Sequence, residues 1–531
     1  MLTRRVSGAA SLYRSLFLFA LLGCSPFLFS CSERTPENFV ILSGSENKAL
    51  EGILERFGGK NGVKMVMQYK GSIDMMTDLQ GGKVEADAVW PASSIWLNLG
   101  DTHRIVKHQK SIMYSPVILG VKKSKARELN LTREGIRVQD ILELVETGRL
   151  RFAMTSASQS NSGCSAYIGF LYALADSPDV LTREVLDRPT LKQKMRRLLE
   201  GVNRSSGSSG WLKDLFLQGD YDAMVNYESL IIETNQELIR QGKEPLYAVY
   251  PVDGIVIADS PLGMIDRGDD RKIAFFRKLQ DHLLSKEIQQ ELLALGRRTA
   301  FPLQAPPARV WNSAWGIRYD RVLSPLRLPA PEVLYDALVF YQTLFRKASF
   351  TVFALDFSGS MKGEGEKQLK AAIRTVLDPA IASKYLLHLS AEDKVVLMAF
   401  SNRTLKVWNL EGHNPSLIRQ VLDEVERLGP DGGTDIYSPV IRGIELLCRV
   451  DHRRFVPAVV LMTDGKSNTG STLPDLDRAY RKCGKDIPVF PVQFGSAEEK
   501  QLRDIAGLTR GKVFDGRKDL IHTFREVRAY H

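Results

Sequence analysis

Cysteine is scarce in this chain, with five among 531 residues, and histidine is little commoner at eight. Two cysteines, Cys24 and Cys31, fall at the N-terminus, which leaves Cys164, Cys448 and Cys483 for the rest of the chain. Their spacing matches no zinc pattern. Cys448 and Cys483 share the C-terminal segment and could pair in an oxidising compartment; the expectation is two buried, inert thiols. The histidines show no partner pattern and no Gly-x-Ser-x-Gly elbow precedes a helix, so a serine hydrolase is excluded. A Gly-x-x-x-x-Gly-Lys-Ser/Thr loop is also missing, which excludes a P-loop ATPase. No enzyme is expected. Repeats and low-complexity tracts are absent, and a composition of 44% hydrophobic and 25% charged residues belongs to globular protein. The formal net charge is +10, yet basic residues are interspersed with acidic ones. The densest basic run, Lys192-Gln193-Lys194-Met195-Arg196-Arg197, has helical spacing and reads as a solvated helix face, with attraction to an anionic membrane surface as the alternative, and no nucleic-acid partner is expected.

Long apolar runs are missing too, except at the N-terminus. Arg4, Arg5 and Arg14 precede an uncharged apolar stretch from Ser15 to Ser30, and a polar stretch from Ser32 follows. That is a signal-peptide pattern, too short for a comfortable span and interrupted by Pro26. Cys24 in Leu21-Leu22-Gly23-Cys24 and Cys31 in Leu28-Phe29-Ser30-Cys31 both resemble the bacterial lipoprotein box. The resemblance implies lipidation at Cys24 or Cys31 and an extracytoplasmic protein, lipid-anchored to a bacterial membrane in the periplasm or at the cell surface. A simple cleaved signal is the alternative.

What is present in quantity is oxygen donors at strand ends. An apolar strand beginning at Thr351 ends in Asp356-Phe357-Ser358-Gly359-Ser360, which gathers a carboxylate and two hydroxyls where strand gives way to helix. Thr434 lies in the turn Gly432-Gly433-Thr434-Asp435, and Asp464 ends the apolar strand Val459 to Met462. Carboxylates and hydroxyls without His or Cys suit Mg2+, Mn2+ or Ca2+. Further strand-like runs at Val395 to Phe400 and Ile487 to Phe494 alternate with helical segments at Leu417 to Leu428 and Ser438 to Cys448. Such alternation predicts βαβ units on a mainly parallel sheet, whose ligands gather at the strands' carboxyl ends. Asp356, Ser358, Ser360, Thr434 and Asp464 match, position by position, the metal-ion-dependent adhesion site of the von Willebrand factor type A family, which residues 350–531 resemble. The resemblance implies a doubly wound, Rossmann-like α/β domain. Its metal would accept an acidic residue from a protein partner.

The segment from 37 to 302 is also α/β. Three strands run into polar turns at helix starts: Ser43-Gly44-Ser45-Glu46, Lys70-Gly71-Ser72, and the run from Thr155 to Gly163. Hydroxyls and amides at helix N-termini can hold an anion or a polar ligand. One such turn could be mere capping, but three at successive strand ends argue for convergence on a cleft. With Asp87-Ala88-Val89-Trp90, Val225-Asn226-Tyr227-Glu228, Tyr250 to Gly254 and Ala258 to Leu262, the segment resembles the solute-binding proteins of ABC transporters, with the two-lobed periplasmic-binding-protein fold. The resemblance implies two crossings between lobes, near Ser111 to Val121 and Val249 to Val256. It also implies ligand contacts at Ser45, Ser72, Ser115, Ser158, Ser160, Asn161 and Tyr227, with Trp90 as a wall. Lys70 would favour an anionic small molecule, whereas Glu228 near the cleft would favour a cation or a hydroxyl-rich ligand.

Residues 303–349 read as a connector, stiffened by prolines and packed through Trp311, Trp315 and Tyr319, with an amphipathic helix from Glu332 to Lys347. The expected whole is a membrane-anchored binding protein: signal 1–31, solute-binding domain 37–302, connector 303–349, type A domain 350–531. It would capture or sense a small solute and engage a protein partner through metal. A transport receptor merely docked by its type A domain, or a surface adhesion protein with a vestigial cleft, are the alternatives.

Overall fold

The computed structural model describes residues 37–529 apart from 83, 304–305, 322, 324–325, 413, 495–498 and 518–519; the expected signal 1–31, with Cys24 and Cys31, lies outside them. The chain builds three sheets in succession. The first uses β1 (Asn38–Ser43), β2 (Lys64–Tyr69), β3 (Ala88–Trp90) and β4 (Val106–Ser111), and the chain then crosses into a second sheet with the long β5 (Met113–Lys122). That second sheet gains β6 (Phe152–Thr155), β7 (Val202–Ser206), β8 (Ala223–Tyr227), β9 (Leu246–Val249) and β10 (Ile257–Ala258). The chain returns with β11 (Pro261–Ile265), giving the first sheet the order β2-β1-β3-β11-β4, and β12 (Arg298–Thr299) pairs back on β5. These are two lobes joined by two crossings. The first crossing falls where the sequence places it; the second comes later, at residues 259–260, because β10 still pairs with β5 through Ile257 and Ala258.

Strands β1, β2 and β3 run parallel, and so do β6, β7 and β8. Parallel strands put their carboxyl ends, and the helix N-termini that follow, on one edge. In each lobe that edge faces the other lobe. The turn before the helix Ser72–Gln80 approaches the second lobe so closely that a side chain at Gly71 would sit 2.6 Å from the Gln159 carbonyl.

The connector packs as the sequence implies. Trp311 donates from Nε1 to the Leu293 carbonyl at 2.9 Å and meets Tyr319 edge-on, and Trp315 is buried with them. The helix Pro331–Phe340 lies along the second lobe, where its Ala337 carbonyl accepts from Tyr167 at 2.7 Å. It widens into a π-turn at Tyr341–Phe345 and passes directly into β13 (Ala348–Asp356).

The third sheet is ordered β15-β14-β13-β16-β17-β18, from β14 (Lys394–Phe400), β15 (Thr404–Glu411), β16 (Phe455–Thr463), β17 (Val489–Gln493) and β18 (Phe514–Asp515). All pairs are parallel except the edge strand β15. β13 and β16 are apolar along nearly their whole length because helices cover both faces of the sheet. The domain departs from expectation at its cysteines. Cys448 ends one helix and Cys483 ends the helix Leu473–Cys483 packed beside it, so their Cα atoms come within 5.7 Å and the two are disulfide-bonded. Cys164 is a free buried thiol, pushed up to about 12 by burial, and therefore inert.

Candidate functional sites

Register explains the cluster at the top of the third sheet. Leu355 of β13 pairs with Met462 of β16, so Asp356 arrives beside Thr463 and Asp464 as both strands end. Asp356 is fully buried; Oδ1 accepts from the Ser358 amide at 2.8 Å and Oδ2 from the Thr463 hydroxyl at 2.5 Å. Ser358 and Ser360 hydroxyls lie 3.1 Å apart, and Ser360 donates to Asp464 Oδ1 at 2.9 Å. Thr434 reaches the same spot from a third loop. A Cβ at Gly465 would stand 3.2 Å from Thr434 Oγ1 and 3.3 Å from Ser360 Oγ, so the glycine leaves those oxygens uncovered. Gly432, with φ of 80°, holds that loop in place by accepting from the Gly359 amide at 3.0 Å.

Burial pushes the Asp356 carboxyl up, partly offset by its hydrogen bonds from Thr463 and Ser358, and the Asp464 charge adds to the rise. Burial likewise raises Asp464, against the hydrogen bond from Ser360. Two desolvated carboxylates with hydroxyls between them form a donor set that fits a hard divalent cation. Among the described residues no three or more His, Cys, Asp or Glu gather as a metal site, so the set here is two carboxylates and three hydroxyls.

The second site lies between the lobes. A cavity of about 80 Å³ is lined by Ser45, Ser72, Ser160, Asn161 and Tyr227, five of the eight residues that the sequence singles out. The lobes are closed on it. Ser208 donates to Ser45 Oγ at 2.8 Å, Trp96 to Asn161 Oδ1 at 2.6 Å, and Gln159 to Asp74 Oδ2 at 3.0 Å, each pair bridging the lobes. Asn161 in turn donates to the buried Tyr227 hydroxyl at 2.9 Å, and burial raises that phenol well above its usual range.

The other three residues are placed elsewhere. Trp90 is fully buried under the crossing, donating from Nε1 to Ser260 Oγ at 3.0 Å. Ser115 sits on β5 and bonds Ser229. The Ser158 hydroxyl turns away from the cavity toward Ser156 and Gln342. Glu228 is buried and ion-paired to Arg298 at 2.8 Å, so it does not repel an anion in the cleft. Lys70 lines the cavity but is held by Asp78 at 2.6 Å.

Sequence reasoning missed Gly207, Ser208 and Ser209, which line the cavity from the turn between β7 and the helix Ser209–Gln218. The signal was present as Ser205-Ser206-Gly207-Ser208-Ser209-Gly210, a fourth polar strand-to-helix turn. It is obscured because β7 itself, Val202–Ser206, is polar and lacks the apolar pattern of a strand. Glu46, Lys512 and Glu526 line the cavity as well, the last two from the C-terminal domain.

Comparison with known proteins agrees with this division. Residues 39–298 match the family model described as "Bacterial extracellular solute-binding protein", and residues 351–520 match "von Willebrand factor type A domain". Among curated proteins, the chain is 27% identical over 152 residues to inter-alpha-trypsin inhibitor heavy chain H3 of Mus musculus, a match spanning 27% of this chain and 16% of that protein. It is also 27% identical over 173 residues to heavy chain H6 of Homo sapiens, spanning 30% and 12%. The chain thus covers less than a fifth of the length of these relatives. Among solved structures, the sulfate-binding protein SubI from Mycobacterium tuberculosis H37Rv aligns at 17% identity and a TM-score of 0.40, covering 57% of this chain and 96% of that one. A periplasmic thiamin binding protein aligns at 11% identity and 0.45, covering 58% and 94%. Among the described residues no helix is long and apolar enough to cross a membrane. With the two-lobed cleft and the parallel sheet described above, residues 39–298 belong to the bacterial extracellular solute-binding proteins and residues 351–520 to the von Willebrand factor type A family.

Proposed function

We propose that this is an extracytoplasmic, lipid-anchored binding protein, held to a bacterial membrane through Cys24 or Cys31, which takes up a small solute between its lobes and grips a protein partner through a metal ion. The observation that carries the reading is the convergence of Asp356, Ser358, Ser360, Thr434 and Asp464 from three loops onto one spot, with Ser358, Ser360 and Asp464 chained by contacts of 3.1 and 2.9 Å. Those residues would hold Mg2+, Mn2+ or Ca2+, and the ion would supply a positive centre able to accept a partner's carboxylate. Coordination favours that use: two carboxylates and three hydroxyls supply five oxygens, one short of a six-coordinate shell, which leaves a position for an oxygen ligand from outside.

For the cleft, the reading is a small anion. Hydroxyls, helix N-termini, Lys70 and Lys512 line it, Glu228 is neutralised elsewhere by Arg298, Glu526 is paired with Lys512, and burial raises the Glu46 carboxyl to about 7. Its volume of about 80 Å³ is well below the several hundred of a drug-sized pocket.

Titration calorimetry with MgCl2 tests the metal site. The wild type should bind Mg2+, Asp356→Ala should lose that binding, and capture of partner proteins in a pull-down should disappear with it and with EDTA. Equal Mg2+ binding by wild type and variant would sink the adhesion mechanism. Fatty-acid labelling of Cys24→Ala and Cys31→Ala variants tests the anchor.

A further inference from the structure

The solute cleft has a third wall, and the other domain provides it. Lys512, in the loop before β18, and Glu526, on the C-terminal helix Leu520–Ala529, line the same cavity as Ser45, Ser72, Ser160 and Asn161. Lys512 Nζ and Glu526 Oε1 stand 3.7 Å apart. One residue before Glu526, Arg525 reaches into the solute-binding domain. Its guanidinium lies 2.9 Å from Asp74 Oδ1 and donates to Thr77 Oγ1 at 3.1 Å and to the Ser158 carbonyl at 3.3 Å.

These three contacts come from both lobes. Asp74 and Thr77 lie on the first lobe's helix Ser72–Gln80, and Ser158 in the second lobe's turn. A single side chain therefore ties the shut pair of lobes to the type A domain. Exposed ion pairs contribute little and are often incidental. Arg525 and Asp74 are instead 7% and 2% exposed. Removing one partner of such a pair strands a buried charge, so the docked position of the helix is specified.

We infer that the solute site is composite: Lys512 is a solute-contacting residue, Glu526 holds its ammonium at the cavity wall, and the terminal helix of the type A domain completes the cleft over the bound solute. This rests on the reading of the cleft as a site for a small anion. Lys512, paired with Glu526, adds a second ammonium beside Lys70 to a cavity whose other walls offer hydroxyls, helix N-termini and the Glu46 carboxyl. A solute that gains contacts with this wall favours the docked helix. By reciprocity, whatever displaces the helix weakens the solute by the same factor.

Hydrogen exchange followed by mass spectrometry on the full chain tests this, with wild type, Lys512→Ala, Arg525→Ala and Arg525→Lys compared with and without sulfate as a small anionic probe. In the wild type, sulfate should slow exchange together in Ser72–Gln80, Asn161–Leu174 and Leu520–Ala529. Lys512→Ala should raise the midpoint of that protection about tenfold, the worth of one charge-assisted hydrogen bond. Arg525→Ala should speed exchange in Ser72–Gln80 and Leu520–Ala529 while β13 and β16 stay protected, and Arg525→Lys should do so less. Protection confined to the solute-binding domain, or an unchanged midpoint in Lys512→Ala, overturns the composite site and leaves solute capture standing. No protection by sulfate anywhere overturns the small-anion reading on which the inference rests. In that event unaltered exchange of Ser72–Gln80 in Arg525→Ala overturns closure by the helix as well.

Discussion

Glu46 carries the clearest consequence of a single side chain in the cleft. Its Oε1 is buried without a hydrogen-bond partner in the structure, and burial lifts its carboxyl to about 7 against the pull of its own backbone amide and of Arg297. The carboxyl folds over Gly44, where a Cβ would come within 2.1 Å of Oε1. The folded chain therefore holds a proton that the unfolded chain releases near 4.5. Stability is full below that value and falls as pH rises toward about 7. Melting temperatures at about pH 5 and about pH 8 should show a drop for the wild type that shrinks in Glu46→Gln. Residues of this kind differ in how far sequence reveals them. Asp356, Ser358, Ser360, Thr434 and Asp464 were legible because each lies just after an apolar strand or just before a helix and their order is distinctive. Ser115 and Ser158 were not, because a serine near a strand end does not disclose which way its hydroxyl turns; here Ser115 turns to Ser229 and Ser158 to Gln342.

Among the elements, the junction between connector and type A domain is the most tightly tied. Asp393, just before β14, is fully buried and accepts from Arg346 at 3.0 Å, from Arg528 of the terminal helix at 2.8 Å and from the Ser349 amide at 2.7 Å. Burial alone would raise its carboxyl, but Arg346 and Arg528 outweigh it and hold the group well below 3.8. Its stabilising effect is present above 3.8 and is lost as pH falls toward the lower folded value. Asp393→Asn should destabilise by roughly 3–5 kcal/mol in chemical denaturation, because it leaves two buried guanidiniums without their counter-charge. The Cys448–Cys483 link closes a separation of 35 residues between two packed helices. Reduction by dithiothreitol should cost about 2–4 kcal/mol, and a Cys448→Ala/Cys483→Ala variant should no longer respond to the reductant. Four strands of the type A domain were legible as apolar runs and two of its helices from their periodicity, but the edge strands β15 and β18 were not. Adjacency of the two helix ends that carry these cysteines was not, since it depends on packing between segments and no local pattern encodes it.

For the whole molecule, the connector does not behave as a loose tether. Trp311 and Trp315 are buried in the core of the second lobe, the helix Pro331–Phe340 packs on the same lobe, and Arg525 and Arg204 reach across from one domain to the other. Arg204, on β7, is 2% exposed and donates to the Arg510 carbonyl at 2.9 Å. Scanning calorimetry of the wild type should therefore show the two domains unfolding in one transition, and Arg525→Ala should separate it into two. Two resolved transitions in the wild type would show that the domains are energetically independent. Two domains, their order and the helix leading into β13 could all be read from sequence. Their mutual docking could not, because Arg525 and Asp74 are 451 positions apart and each looks like an ordinary surface charge on a helix.

The central strand β13 has its own bearing on any partner held at the metal cluster. Asp356 ends it and the connector enters it at Ala348, so the strand is the straight line between the two, roughly 30 Å of chain at about 3.3 Å per residue. If the chain is anchored and grips a partner as proposed, tension between the two would run along that line. β13 is hydrogen-bonded along its length to β14 on one side and β16 on the other, both parallel to it. A pull along the strand loads those bonds in shear, all at once, whereas a pull across it would part them one by one. The residue that would grip the metal thus sits at the end of the strand best placed to bear the load.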